Sequence, residues 1–107
     1  MLLVVLRQLA CHQMEDSTED EIMLRSGGAQ VFPNEGEHVI TAGNSAFMEK
    51  PIISAGDVNV ELWEEDWPDP DDYLGTVTIP ANATGARTGE FTRDEAHYTL
   101  HYTAVQF

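Results

Sequence analysis

The sequence predicts an all-β fold, a single antiparallel β-sandwich of about seven to eight strands that takes up residues 1–107. Three observations carry this. Apolar packets of four to eight residues, rich in Val, Ile, Thr, Tyr and Phe, recur between Gly, Pro, Asn and Asp. No stretch repeats its apolar residues at the 3.6-residue spacing of an amphipathic helix. With 42% hydrophobic residues in 107, the chain holds apolar material for one core of ordinary domain size.

Taken in order, residues 2–11 form the first strand. The apolar run at its start is interrupted by Arg7 and Gln8 and has no basic flank. It is far short of the roughly 20 apolar residues that span a membrane. It therefore reads as a buried strand, and with no signal peptide or spanning segment the default expectation is a cytoplasmic protein. An acidic loop over residues 12–20 follows. Residues 21–25 and 29–32 flank Ser26-Gly27-Gly28, a hairpin signal because glycine tolerates the positive φ of tight turns. Two further packets, 38–42 and 47–53, are ambiguous.

The clearest strand is 58–63, where Val58, Val60 and Leu62 alternate with polar residues and so share a face. Residues 73–79 form another, ended by Pro80, which cannot donate to a ladder. Residues 81–90, with Gly85 and Gly89, read as a flexible link. The chain closes on 97–107, in which Tyr98, Leu100, Tyr102 and Ala104 fall on one side.

Charge narrows the function. Nineteen Asp+Glu against 5 Lys+Arg give a net charge of −14. Such a chain repels phosphate backbones, which argues against nucleic-acid binding, and it has no polybasic membrane patch. The lone Cys11 cannot form an internal disulfide. The acids are also concentrated. Glu15, Asp16, Glu19, Asp20 and Glu21 form one cluster, and Glu61, Glu64, Glu65, Asp66, Asp69, Asp71 and Asp72 another, both at or beside expected loops. Dense like charge destabilises a fold unless a cation relieves it. Several hard oxygens around one point are what calcium requires. An EF-hand is excluded, because counting from Asp69 puts Tyr73 and Leu74 where a ligand and the turn glycine are needed. The alternative is a calcium-independent interaction or structural module whose acids, with Lys50 the single lysine, keep a salt-adapted surface soluble.

Catalysis finds little support. Cys11 and His12 are neighbours in a strand and point to opposite faces, so they are not a nucleophile–base pair. His97 and His101 share a face but stand too far apart to hold one metal, and both read as solvent-facing. Asn82-Ala83-Thr84 has the glycosylation spacing without a secretory signal. The expectation is a non-enzymatic protein.

Residues 58–80 resemble the C2 domain family of eight-stranded antiparallel sandwiches, many of which bind calcium and then phospholipid or protein partners. In that family an alternating strand ends in acid, any residue, acid, and a short loop leads to a third acid before a two-apolar-plus-glycine step. Glu64, Asp66 and Asp72 stand at the three acid positions, and Tyr73-Leu74-Gly75 forms the step. The other calcium loop of the family carries two acids. Asp20 matches the later one, and Glu15 or Asp16 lies near the earlier. The resemblance implies a calcium site built from Glu15, Asp16, Asp20, Glu64, Asp66 and Asp72. It also implies loop-tip contacts to a membrane or partner through Trp67 and Met14, with Trp67 folded over its own prolines as the alternative. One or two bound divalent ions would leave most of the negative charge in place, which disfavours anionic membranes.

Overall fold

The computed structural model describes all residues, Met1–Phe107. Nine strands are present: β1 (Leu2–Gln13), β2 (Asp20–Ser26), β3 (Ala29–Phe32), β4 (His38–Ile40), β5 (Ser45–Ser54), β6 (Val58–Glu64), β7 (Asp72–Ile79), β8 (Gly85–Phe91) and β9 (His97–Gln106). They make two antiparallel sheets packed face to face. One has the order β5-β1-β9-β8, and the other β3-β2-β6-β7 with β4 also paired to β2. β3 pairs with the end of β2 and β4 with its start, so the two share one edge of that strand.

Alternation builds the core. Val58, Val60 and Leu62 of β6 and Tyr98, Leu100, Tyr102 and Ala104 of β9 are all buried, as their spacing implies. In β1 the inward set changes parity, from Leu2, Val4 and Leu6 to Leu9 and Cys11. A bulge between Leu6 and Gln8 accounts for this, since one extra residue turns every later side chain to the other face. Before the bulge, plain alternation turns Leu3 and Val5 to the outer face, so the apolar run at the start of β1 serves both faces. A continuous cluster of 23 buried residues fills the space between the sheets. Each fully enclosed Leu contributes about 1.5–3 kcal/mol by leaving water, so this core, not the acidic loops, holds the sheets together.

The expected flexible link is corrected here. Residues 85–91 form β8, paired along its length with β9 from Gly85↔Ala104 to Phe91↔Tyr98. β8 is a sheet edge with mostly exposed side chains, so it carries no apolar alternation to betray it. Its Gly89 lies under Val77, whose methyl carbons would stand 2.5 and 2.7 Å from an added Cβ. In the Tyr73-Leu74-Gly75 step, a bulge between β6 and β7 opposes Leu62 to Gly75 and Trp63 to Tyr73. Gly75 sits there at φ +128°, a conformation open to glycine and strained for other residues.

Candidate metal site at the loop end

Parity brings acids inside. The inward register of β6 runs Val58, Val60, Leu62 and then Glu64, while that of β2 runs Asp20, Ile22, Leu24. Glu64 and Asp20 are accordingly 1% and 0% exposed, although both are acids. Register adds Asp72, which pairs directly with Glu64 across the β6–β7 ladder. The loop between β1 and β2 then contributes Glu15 and Asp16.

Two groups result. Carboxylate oxygens of Glu15, Glu64 and Asp72 lie within 4.8 Å of one another, and so do those of Glu15, Asp16 and Asp20. Glu15 belongs to both. Asp66 falls outside these groups, although its charge acts on Asp72. Asp71 is engaged elsewhere, bonded at 3.0 Å to Arg25, whose guanidinium also lies over the Trp63 ring.

The acids are unequally satisfied. Asp20 accepts the Glu15 amide on Oδ2 and the Asp16 amide on Oδ1, each at 2.9 Å, and Oδ2 also accepts the Tyr98 hydroxyl. It organises the loop that carries the other two ligand candidates. Glu64 accepts the Glu21 amide on Oε2 at 3.1 Å. In the ionised state its Oε1 and the Oε2 of Glu15 are buried and have no hydrogen-bond donor. A buried acceptor left in this state costs about 1–3 kcal/mol.

Electrostatics follow from this crowding. Burial, and then the charges of Asp16 and Asp72, push Glu15 up to about 7. Burial pushes Glu64 up to about 8 with help from Asp16, Asp20 and Glu15, against the opposing Glu21 amide. Asp72 is also raised, by burial and then by Asp66 and Asp94. Without a counter-ion, then, the site retains protons near neutral pH. Every donor is a carboxylate oxygen, which suits a hard cation such as calcium and not a metal that seeks sulfur or imidazole.

Sequence reasoning missed Asp94, whose charge reaches Asp72 from the β8–β9 loop and whose backbone is left-handed at φ 54°. It also missed a third group, Glu21, Glu37 and Glu65, which three separate segments bring together. Of the two tip residues, Trp67 is 84% exposed, while Met14 is half-buried against the core. Trp67 therefore does not pack down as a lid. Three concavities of about 290, 340 and 360 Å³ indent the surface, and none is lined by the loop acids.

The architecture has counterparts among solved structures. A solved C2 domain superposes over 99% of this chain and 99% of its own, with a TM-score of 0.62 at 18% identity. This chain has the C2 fold. A structure of two C2 domains of extended synaptotagmin 2 matches 96% of the chain at 22% identity with a TM-score of 0.52, and the match covers 39% of that longer chain. No protein-family model matches the sequence, and no curated protein is significantly similar to it. Within the C2 fold of this chain, the acids gather at the end of the sandwich where the β1–β2 and β6–β7 loops meet. The fold contains no helix long and apolar enough to cross a membrane.

Proposed function

We propose that residues 1–107 act as one C2-like binding module whose loop end takes up calcium, and that the bound ion prepares this end for a membrane or protein partner. One observation carries the reading: two converging carboxylates, Glu15 and Glu64, each hold when ionised a buried oxygen with no hydrogen-bond donor. A cation between them and Asp72 would satisfy both oxygens and replace the protons that crowding now retains. Asp20 supports the reading as the tie that shapes the loop, with Asp16 and Asp66 at the margin of the site. Calcium would neutralise local repulsion and hold the β1–β2 and β6–β7 loops together, presenting the exposed Trp67 in a fixed position.

The test is a melting experiment on metal-stripped protein. Millimolar calcium raises Tm through linkage, by about 2.7 kcal/mol of added stability at one hundred times Kd. Glu64→Gln abolishes the rise. An unchanged Tm in calcium assigns the acids to surface charge. Vesicle sedimentation with and without calcium then tests the membrane arm, and absence of calcium-dependent binding to any lipid composition retires it.

A second reading has its own support. Ile53, Leu3 and Val105 lie in register across β5, β1 and β9, with Ile53 62% and Val105 49% exposed on the outer face. Such a row suits a calcium-independent protein contact.

A further inference from the structure

A separate group of side chains lies on the outer face of the four-stranded sheet, the face opposite that sheet's core-facing residues. Glu90 of β8 stands directly opposite Thr99 of β9, and His97 precedes Thr99 by two residues on the same face. Thr99 in turn pairs with Ala10 of β1, and a bulge between Cys11 and Gln13 brings His12 beside them. The His12 and His97 rings are 4.6 Å apart between centroids. Ligand atoms of His12, Glu90 and His97 all lie within 4.8 Å of one another.

The hydrogen bonds hold these atoms toward a common point. His97 Nε2 donates to Glu90 Oε2 at 2.9 Å. Thr99 donates its hydroxyl proton to the same oxygen at 2.8 Å, which leaves the Thr99 oxygen to accept from His12 Nε2 at 2.7 Å. Thr99 is itself buried beneath the three longer side chains. Partial burial alone would raise the Glu90 carboxyl, but the bonds from Thr99 and His97 outweigh it and keep the group below its usual range, so it is charged.

We propose that His12, His97 and Glu90 form a binding site for a divalent transition metal of the zinc type, distinct from the loop-end acids. Two imidazoles and one carboxylate are a borderline donor set that zinc, cobalt, nickel or copper prefers and that calcium does not. Three protein ligands leave a fourth position for water in tetrahedral geometry, with metal–ligand distances of about 2.0–2.2 Å. Binding requires each ring to give up the Nε2 proton that it donates to Glu90 or Thr99 and to carry its one proton on Nδ1, so that Nε2 meets the metal. Thr99, lying beneath, then remains as the donor that orients Glu90. The three ligands come from three adjacent strands, so the ion would staple the edge strand β8 to β9 and β1.

Cobalt titration of the tag-free chain, with calcium held at saturating excess, tests this through the visible absorption of tetrahedral cobalt. The expected result is a band that saturates at one equivalent and is bleached by zinc. It is lost in His12→Ala and in His97→Ala, two exposed positions where the fold is not at stake. It is retained in Glu64→Gln, whose site lies at the loop end. No cobalt band in the unaltered chain, or a band that survives in the His12→Ala/His97→Ala double variant, would overturn the proposal.

Discussion

Tyr98 donates its hydroxyl proton to Asp20 Oδ2, joining the last strand to the start of β2 from inside the sandwich. Both side chains are 0% exposed. Burial and the adjoining carboxylate hold the phenol above its ordinary pKa, so it stays a donor. The same Oδ2 receives the Glu15 amide, so the core tyrosine and the acidic loop are coupled through one carboxylate. Tyr98→Phe removes a hydrogen bond to a charged, buried acceptor and is expected to cost about 1.5–3 kcal/mol. Each kcal/mol corresponds to roughly 4–8 °C in Tm for a domain of this size. A urea melt checks it, and unchanged stability in the Tyr98→Phe variant would remove the tie.

Metal-free protein should lose stability as pH rises. Glu15 and Glu64 titrate near 7 and 8 in the folded chain, raised by burial and then by neighbouring carboxylates. Unfolded, a glutamate titrates at about 4.3, so between that value and about 8 the folded state binds more protons. Stability from these two groups is complete below about pH 4.3 and declines as pH climbs through 7 to 8. Thermal melts in chelator from pH 5 to 8.5 should show a falling Tm, and Glu64→Gln should flatten the fall.

Gly89→Ala places a methyl carbon against Val77 at distances no real contact adopts. Since Val77 is buried, it cannot swing clear into solvent. Overpacking of this kind costs about 1–3 kcal/mol. The urea midpoint should fall accordingly, while substitution of the exposed neighbour Thr88 to Ala stays within about 0.5 kcal/mol.

Trp67→Ala should leave stability within about 0.5 kcal/mol, because an 84% exposed ring has little packing to lose. A large loss in chelator would show that the indole closes over its own loop after all.

What the sequence made legible follows from period 2. The inward sets of β6 and β9 could be read directly, and the acid spacing from Glu64 to Asp72 with the Tyr73-Leu74-Gly75 step pointed to the fold. Bulges were not legible, and they matter: one switches the inward residues of β1 between Leu6 and Leu9, and another sets His12 beside His97. β8 stayed hidden because an exposed edge strand of small and polar residues has no apolar face to alternate. At the site, the loop acids could be named, but their inequality could not. That Glu64 continues the buried parity of Val58, Val60 and Leu62 is visible only once the length of β6 is known. Asp94 and Glu37 come from separate loops and share no local pattern with the named acids.

Whether the loop-end acids hold calcium is decided by calorimetric titration of metal-stripped protein with calcium at pH 7, repeated in two buffers of different ionisation enthalpy. The expected result is a saturable signal of one or two equivalents whose apparent enthalpy differs between the buffers, because calcium displaces protons held by Glu15 and Glu64. A flat titration in both buffers would contradict it.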